Sequence, residues 1–438
     1  MNICMFTNTY RPHVGGVARS VQFFSEDLVR LRHRVLVVAP SFPEESQGAE
    51  ESPAVIRVPA IQQFNGSDFS VRIPLPLYID QQIEKFKPDI VHSHHPFLLG
   101  DAAVRTARKR ELPLVFTHHT LYEEYTHYVP LSSEKLKPFV IRLATLYANL
   151  SDRVVAPSRT IGQLLDARGV NRPIEEIPTG VDLAFFESGN GEKFRQTHHL
   201  PQDAVVLGHV GRLAPEKNLP YLARAVTIYL RQAPAAHFVV VGDGPSRTEI
   251  QEIFSAQNFE ARLHLVGEAS GDALRDAYQG MDMFVFASHT ETQGMVLTEA
   301  MAAGKPVIAL DASGSREVVR DGENGRLLPA DTPPEKFAAA ISESCQLSTR
   351  HTERWIGGAR RTAKQFSREV CAEKMARMYQ KVLQGRELPT ATARPATEAE
   401  NEFSALDSLA ERIKTEWELL SRKTSALLDA VQTGSEAP

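Results

Sequence analysis

Two glutamates flank a turn whose backbone favours a phosphate group. Glu291 lies in the polar segment 288–293, and Glu299 lies in the helix-forming run that starts at Gly294. A helix N-terminus presents unpaired N–H groups and the positive end of the helix dipole, which together attract phosphate. Carboxylates accept hydrogen bonds from hydroxyl groups. The segment therefore suits a sugar linked to a diphosphate, although an ordinary turn with solvated glutamates explains this loop alone equally well.

The residues around this turn predict a βαβ unit. Residues 283–287 and 307–310 are short apolar runs typical of buried strands, and helix formers lie between them. Gly304 occupies the place of a helix C-terminal glycine. The two strands are therefore expected to be parallel, with a right-handed crossover.

Two cations lie in a second strand-to-helix loop. Residues 205–210 predict a strand, and Arg212 and Lys217 follow it within 211–218. Arginine grips phosphate with a forked pair of donors, and lysine acts as a mobile point charge. Facing a helix N-terminus, two such cations would stabilise a departing nucleoside diphosphate without a metal ion. A surface position for Lys217 is the alternative.

The N-terminal half begins with the pattern of a doubly wound sheet. Residues 2–7 and 35–40 predict strands, with a helix predicted over 18–32. Gly15 and Gly16 lie at the first strand-to-helix turn, where glycine lets the backbone approach a ligand closely. They do not form a GxGxxG fingerprint, so a plain tight turn fits this dipeptide nearly as well as a ligand site.

Histidines collect at the ends of two further predicted strands, 88–94 and 114–117. The six are His92, His94, His95, His118, His119 and His127. Ligands of open α/β sheets bind beyond strand carboxyl ends, so a role in a site is open. Neutral imidazoles also bind zinc, but no zinc-type spacing with cysteine or carboxylate occurs. We therefore predict no metal site, no required cofactor and, at most, stimulation by a divalent metal.

Composition narrows the class of protein. The chain has 438 residues, of which 42% are apolar and 24% charged, which predicts two domains with full cores. A formal net charge of −5 gives no basis for nucleic-acid binding. Three scattered cysteines favour a reducing compartment. With neither a signal-peptide pattern nor an apolar run long enough to span a membrane, a cytoplasmic location is predicted.

The residues from Glu291 to Val307 resemble the signature of the retaining glycosyltransferases of family 4. Glu291 is followed by Thr-Gln-Gly, then Glu299, then Ala-Met-Ala-Ala-Gly-Lys-Pro-Val. The resemblance implies an α/β protein with two Rossmann-like doubly wound domains facing a cleft, the GT-B fold. We expect four regions, in chain order: an acceptor-binding domain at 1–201, a nucleotide-sugar-binding domain at 202–385 whose last helix crosses back to the first domain, a linker at 386–401 and a helical tail at 402–431.

The same resemblance implies roles for individual residues. His119 would face the reacting sugar, with His118 as the rival assignment, and Glu291 would accept hydrogen bonds from sugar hydroxyls. Glu299 would accept from the ribose. The remaining residues expected to bind the donor are Gly15, Gly16, Arg212, Lys217, Gly267, Glu268, Gln293, Gly294, Met295, Val296 and Leu297. The implied mechanism is front-side transfer with retention, since no pair of carboxylates identifies a double displacement.

Two segments, 118–128 and 291–294, resemble the diacylglycerol glucosyltransferase branch of the family. That branch implies transfer of glucose from UDP-glucose to 1,2-diacylglycerol at the membrane surface. The basic amphipathic segment 132–150 could contact an anionic membrane or simply line the core. A GDP-mannose donor, another lipid or soluble acceptor, a nucleotide-sugar epimerase and a non-catalytic partner-binding protein are the alternatives.

The tail carries an apolar stripe with helical spacing between Phe403 and Leu427. A helix with such a stripe needs a partner. Packing on its own protein, self-association as a coiled coil and contact with lipid all satisfy that need, and the sequence leaves the three open.

Overall fold

The computed structural model divides the protein into two α/β units. The first unit comprises Met1–Pro178 with the chain from Cys371 onwards, and the second comprises Thr179–Val370. The structure describes residues 1–13, 15–41, 53–61, 71–72, 77–123, 133–385 and 422.

The first unit is built on a seven-stranded parallel sheet of order β3-β2-β1-β6-β7-β8-β9, with β4 and β5 forming a separate antiparallel pair. In chain order its strands are β1 Asn2–Phe6, β2 Arg34–Pro40, β3 Ala54–Val58, β4 Ala60–Ile61, β5 Val71–Arg72, β6 Ile90–Ser93, β7 Leu114–Thr117, β8 Arg153–Ala156 and β9 Ile174–Glu176. Its first helices are α1 Gly16–Arg30, α2 Leu77–Phe86, α3 Leu99–Lys109, α4 Ser133–Ala148 and α5 Arg159–Ala167.

Side chains of the central strand alternate between two apolar cores. Cys4 and Phe6 of β1 pack in a core with residues of α2 to α5, whereas Ile3 and Met5 pack in another with residues of α1. Successive side chains of a strand point to opposite faces, so helices on both faces bury every residue of β1 after Asn2. That explains why these strands read as continuous apolar runs.

The second unit repeats this plan with six parallel strands in the order β12-β11-β10-β13-β14-β15. Its strands are β10 Val205–Val210, β11 Ala236–Val241, β12 Leu263–Gly267, β13 Met283–Phe286, β14 Val307–Leu310 and β15 Gly325–Leu328. Its helices are α6 Leu183–Glu187, α7 Gly191–Thr197, α8 Leu219–Gln232, α9 Arg247–Ser255, α10 Gly271–Gly280, α11 Met295–Ala302, α12 Ser315–Val318, α13 Pro334–Cys345 and α14 Thr349–Gln365, with 3₁₀ turns at Pro215–Lys217 and Glu260–Arg262. The predicted βαβ unit is confirmed, since β13 and β14 pair in parallel.

The boundary between the units lies at Thr179, upstream of the boundary predicted near Gln202. The reason is that α6 and α7 belong to the second unit. Phe186 and Phe194 are buried against Leu274 and Tyr278 of that unit's core. The sequence prediction placed these short helices before the boundary because the first strand of the second sheet begins only at Val205.

The last helix, α15 Arg368–Gln384, leaves the second unit and supplies core residues to the first. Cys371, Met375 and Tyr379 are fully buried there, in the same core as Val21 and Phe24 of α1. The crossing expected for the final helix corresponds to this segment.

Each sheet contains one point at which the strand order reverses. The chain winds outward from β1 to β3 and returns to the other side of β1 at β6, and it does the same from β10 to β12 before returning at β13. The loops after the strands on either side of such a point diverge, which leaves a crevice at their carboxyl ends. Of the predicted functional residues, Gly15 and Gly16 follow β1, Lys217 follows β10, and Glu291 follows β13.

Within the described ranges, none of the helices combines the length and the apolar character needed to cross a lipid bilayer.

Two adjacent glycines in α14 provide a test of the packing. A Cβ on Gly358 would lie 2.0 Å from the carbonyl oxygen of Glu323, whereas a Cβ on Gly357 would meet only the movable end of Arg361 at 3.3 Å. We expect Gly358→Ala to destabilise the protein by about 1–3 kcal/mol because backbone must move. Gly357→Ala, the control, should be neutral or stabilising by up to about 1 kcal/mol because alanine favours a helix. Denaturant unfolding measures both, and equal effects would contradict the packing described here.

Candidate functional site

The turn after β13 is shaped by two glycines. Gly294 precedes α11 with φ 74° and ψ 52°, a left-handed conformation that glycine adopts without strain. Gly314 has φ 84°, and a Cβ on it would lie 2.5 Å from the Cβ of Glu291. The backbone at Gly314 therefore packs directly beneath the turn and fixes where the Glu291 side chain begins.

Lys217 and Glu291 form an ion pair that joins the loops after β10 and β13. Their Nζ and Oε1 atoms are 2.5 Å apart, and their side chains are only 17% and 16% exposed. These loops follow the two strands on either side of the reversal in strand order. The structure thus brings together the lysine expected to bind phosphate and the glutamate expected to bind sugar hydroxyls, which lie far apart in sequence.

Arg212 occupies the outer part of the same loop and pairs with Glu216, at 2.5 Å between Nη2 and Oε1. The Arg212 side chain is 43% exposed, so it remains accessible to an anion. Glu216 was not predicted as a site residue, although it directly precedes Lys217 in a 3₁₀ turn. Its backbone carbonyl accepts a hydrogen bond from Ser288 at 3.2 Å, which links the β10 and β13 loops a second time.

Gln293, predicted to bind the donor, uses its side chain within the protein. Its Oε1 accepts a hydrogen bond from the backbone N–H of Thr179, and its Nε2 donates to the carbonyl of Thr179, both at 2.7 Å. Gln293 is 4% exposed. The side chain therefore ties the first residue of the second unit to the turn before α11, a structural role that the sequence did not reveal.

Glu299 lies inside α11 and is 4% exposed. The hydroxyl of Tyr278, on α10, donates to its Oε2 at 2.8 Å. Tyr278 was not predicted either, because only the fold brings α10 beside α11. Its hydroxyl also donates to the carbonyl of Val296 at 3.4 Å, in the first turn of α11. Tyr278 thus supports the carboxylate that the resemblance assigns to the ribose.

His209, a residue that sequence reasoning missed, lies on β10, near enough to Lys217 and Glu291 for both charges to act on its ring. It is the polar residue in the apolar strand β10, which is the signal that could have identified it. Its Nδ1 is 3.2 Å from the carbonyl of Val285, and its buried Nε2 has no hydrogen-bond partner within the described ranges. Burial is the main reason that its pKa is lowered to about 4, with Lys217 lowering it further. His209 is therefore uncharged at neutral pH.

Glycines also allow the neighbouring strand ends to approach closely. A Cβ on Gly242 would lie 2.0 Å from the carbonyl oxygen of Gly211, so only glycine fits there. Gly267, at the end of β12, has φ 84° and open space around its missing side chain. Glu268 follows it and is exposed. These two residues, predicted to bind the donor, lie at the carboxyl edge of the sheet that also carries Lys217.

The start of α1 has the geometry of an open turn. Gly16 is the first residue of the helix, and a Cβ on it would meet no atom within 4 Å. A Cβ on Gly15 would lie 3.2 Å from Nε2 of His13. Gly16 is thus open on this side among the residues that the structure describes, and the predicted role of Gly15 and Gly16 toward a diphosphate stays a prediction.

The histidines after β6 and β7 form a connected cluster. Nδ1 of His94 is 2.9 Å from Nε2 of His119, and the rings stack with centroids 5.2 Å apart. His92 packs on His94 with centroids 4.1 Å apart. It is held in turn by the Tyr379 hydroxyl at 2.5 Å and by Thr117 at 2.7 Å. Through Tyr379, α15 therefore supports the histidine cluster.

His118 and His119 differ in their surroundings. His119 is half-buried and hydrogen-bonded to His94, whereas His118 is 1% exposed. Both ring nitrogens of His118, and the hydroxyl of Tyr122 that lies against it, have no hydrogen-bond partner among the residues described. The half-exposed residue of the two is thus the one that the resemblance singles out. In the described part of the chain, no group of three or more histidine, cysteine or acidic side chains is arranged to hold a metal ion.

The buried histidines predict acid sensitivity. Burial lowers the pKa of His92, His118 and His119 to about 3, and that of His94 well below its usual value. Below pH 6.5 these histidines bind protons in the unfolded chain but not in the folded chain. The free energy of unfolding therefore keeps its full value above pH 6.5 and falls as the pH drops toward 3. At pH 5.5 each histidine with a pKa near 3 should cost on the order of 1 kcal/mol of stability. Melting temperatures measured from pH 7.5 to 5 test this.

The control for that measurement is His118→Phe. This change removes one titrating ring but none of the hydrogen bonds that the structure describes. We expect the variant to lose stability less steeply on acidification than the unaltered protein. An unchanged slope would contradict the assignment of the acid sensitivity to this cluster.

Comparison with known proteins places the chain in a family. The family model "Glycosyltransferase Family 4" matches residues 14–185, and the model "Glycosyl transferases group 1" matches residues 190–362. The GDP-mannose-dependent alpha-mannosyltransferase of Mycolicibacterium smegmatis is 30% identical over 89% of this chain and 100% of its own length. The alpha-monoglucosyldiacylglycerol synthase of Streptococcus pneumoniae is 30% identical over 70% of this chain and 71% of its own length.

Among solved structures, HepE of Anabaena in complex with UDP-glucose superposes with a TM-score of 0.66 at 21% identity. The match covers 86% of this chain and 99% of that one. The chain therefore belongs to glycosyltransferase family 4, has the GT-B fold, and is a glycosyltransferase related to the monoglucosyldiacylglycerol synthase branch.

Proposed function

We propose that this enzyme transfers glucose from UDP-glucose to the free hydroxyl of 1,2-diacylglycerol, with retention at the anomeric carbon. The observation that carries the proposal is the Lys217–Glu291 pair, which holds a phosphate-seeking cation 2.5 Å from a hydroxyl-accepting carboxylate at the reversal of strand order. The lipid acceptor is supported by the likeness to the S. pneumoniae synthase. Peripheral contact with the inner membrane surface follows from that acceptor.

The second unit would hold the donor. Lys217 and Arg212 would neutralise the diphosphate, and the N–H groups at the start of α11 would add hydrogen bonds and the positive dipole end. A bound diphosphate would compete with Glu291 for Lys217, which frees the carboxylate to accept hydrogen bonds from the sugar. Glu299, oriented by Tyr278, would accept from the ribose.

The reaction would proceed on one face of the sugar. The bond from the anomeric carbon to the β-phosphate oxygen breaks, and the acceptor oxygen bonds to the same face. The acceptor proton passes to the departing phosphate oxygen, so charge balances without a protein base. Lys217 and Arg212 would stabilise the negative charge that builds up on the leaving group. His119, whose low pKa keeps it neutral, would contribute a hydrogen bond to the sugar rather than a positive charge.

A direct assay tests the proposal. Purified protein is incubated with radiolabelled UDP-glucose and vesicles that contain or lack diacylglycerol, and the lipid and water phases are counted separately. We expect label in the lipid phase only when diacylglycerol is present. Transfer to a different acceptor would reject the lipid assignment, and a changed sugar nucleotide without any acceptor would identify an epimerase.

A second donor deserves the same assay because the M. smegmatis mannosyltransferase matches this chain along its entire own length. A thermal-shift panel of UDP-glucose, GDP-mannose, UDP and GDP separates the two, since a ligand that binds the folded state raises the melting temperature. We expect the two uridine nucleotides to raise it. A shift with the guanosine nucleotides alone would replace UDP-glucose by GDP-mannose in the proposal.

Substitution of Lys217 should affect catalysis more than folding. We expect Lys217→Ala to lower kcat by about 10²–10³-fold, because one donor to the developing charge is lost. Lys217→Arg, which keeps the charge, should retain more activity than Lys217→Ala. The matched control is Lys336→Ala, the same change at an exposed position of α13. Steady-state kinetics measures kcat for each, and equal activity of Lys217→Ala and the control would remove Lys217 from the site.

A further inference from the structure

Helix α14 concentrates positive charge on the surface of the second unit. Its residues, 349–365, include five arginine and lysine side chains but a single carboxylate, Glu353, in a chain whose formal net charge is −5. The five cations are all exposed: Arg350, Arg354, Arg360, Arg361 and Lys364. None of them belongs to the candidate site, so the proposed reaction does not account for this charge.

Four of these cations form a row along one side of the helix. An α-helix turns by about 100° per residue, so four of the five fall within an arc of about 80°: Arg350, Arg354, Arg361 and Lys364. The buried residues occupy the opposite side: Trp355, Gly358, Ala359, Thr362 and Ala363. We call this row of four the basic stripe, and at about 1.5 Å per residue it is about 21 Å long.

The protein does not neutralise the basic stripe. In the described ranges, none of its four side chains forms an ion pair with a carboxylate. Other arginines of the second unit do form such pairs: Arg316 pairs with Asp311 and Arg326 with Asp321, both at 2.9 Å. Like charges three or four residues apart destabilise a helix, and the stripe has them at 350 and 354 and at 361 and 364. An anionic partner would relieve that repulsion.

The helix that carries the stripe is fixed to the second unit. Nε1 of Trp355 donates a hydrogen bond to the carbonyl of Gly322 at 3.0 Å. Nη2 of Arg320 donates to Oε1 of Gln365, also at 3.0 Å. The backbone of the stripe is therefore ordered in advance, and only the ends of its long side chains lose freedom when a partner binds.

The shape and composition of the stripe favour a flat anionic surface. Protein interfaces are built around buried aromatic or apolar anchors, but α14 exposes no large apolar side chain among the residues described. A bilayer that contains anionic lipids is flat and attracts basic residues through charge alone. Each arginine or lysine near such a surface strengthens binding about fivefold, so four would strengthen it by roughly 600-fold. That is enough for a reversible contact without an inserted segment.

We infer that the basic stripe of α14 docks the second unit on a membrane surface that contains anionic lipids. The choice of a membrane rests on the proposed function, because a diacylglycerol acceptor lies in a bilayer, and the net charge of −5 disfavours nucleic acid. The contact would keep the unit that binds the donor at the surface that holds the acceptor. The stripe is distinct from the basic segment 132–150 and from the tail predicted at 402–431, which lies outside the described residues except for residue 422.

Vesicle flotation measures this contact directly. Purified protein is mixed with phosphatidylcholine vesicles that contain or lack phosphatidylglycerol, all without diacylglycerol, and the bound fraction gives a partition coefficient. We expect binding to the anionic vesicles alone. It should be lost when salt rises from about 0.1 M to about 1 M, because the Debye length falls from about 10 Å to about 3 Å. Equal binding to neutral vesicles, or no binding to either kind, would overturn the inference.

Paired substitutions locate the contact on α14. Arg354→Gln combined with Arg361→Gln should lower the partition coefficient about 30-fold, since each cation contributes about fivefold. The matched control is Arg224→Gln combined with Lys336→Gln, which removes the same charge from exposed positions of α8 and α13. We expect the control to change the coefficient by less than about threefold, because charges beyond a Debye length are screened. An equal loss in both pairs would show an effect of net charge and would contradict a specific surface.

A conservative pair separates charge from structure. Arg354→Lys combined with Arg361→Lys keeps both charges, so it should bind the anionic vesicles nearly as well as the unaltered protein. Loss of binding in this pair would contradict an attraction based on charge. All the substituted positions are exposed, so each variant should fold, and melting temperatures check that it does.

Two readouts distinguish failure of this inference from failure of the proposed reaction. Flotation needs no acceptor, and glucose transfer is assayed separately with diacylglycerol in neutral detergent micelles. Binding to anionic vesicles without any transfer would support the stripe and reject the reaction. Transfer in micelles without such binding would reject the stripe and support the reaction. Tighter binding to duplex DNA than to the vesicles at the same salt would overturn the choice of a membrane.

Discussion

The reversal of strand order in each parallel sheet is the constraint on which the site depends. Parallel strands end at the same edge, and the loops diverge only where the winding changes direction. In the second unit that point separates β10 from β13, so the loops that carry Lys217 and Glu291 begin side by side. The ion pair between them then fixes both side chains with little freedom left. A surface pair would contribute little to stability, and in this mostly buried pair the loss of solvation offsets much of the attraction, so the main effect of the pair is to position the two side chains.

The glycine positions follow from the same constraint. Loops that leave adjacent strands must pass one another closely, and a Cβ at Gly242 or Gly314 would collide with the neighbouring loop. Polar side chains complete the arrangement by linking one loop to the next, as Gln293 does for Thr179 and Tyr278 does for Glu299. Many of the residues that shape the candidate site therefore act on other protein groups.

The local elements were predictable because buried parallel strands read as apolar runs. Strands predicted at 205–210 and 307–310 coincide with β10 and β14. The domain boundary was wrong because α6 and α7 are short, and only their packing on α10 shows which unit they join. Glu216, Tyr278 and His209 were not predicted because their roles depend on pairing across loops, which a single sequence does not display.

The contact between His94 and His119 also determines where a proton sits. Neutral imidazole has one N–H, so one ring must donate and the other accept across the 2.9 Å between Nδ1 of His94 and Nε2 of His119. Nε2 of His94 is buried without a partner in the described part of the chain. An orphaned lone pair costs less than an orphaned N–H, so His94 is the donor and Nε2 is its bare nitrogen. His119 must then carry its hydrogen on Nδ1. In this tautomer Nδ1 can donate a hydrogen bond to an oxygen atom but cannot act as a base.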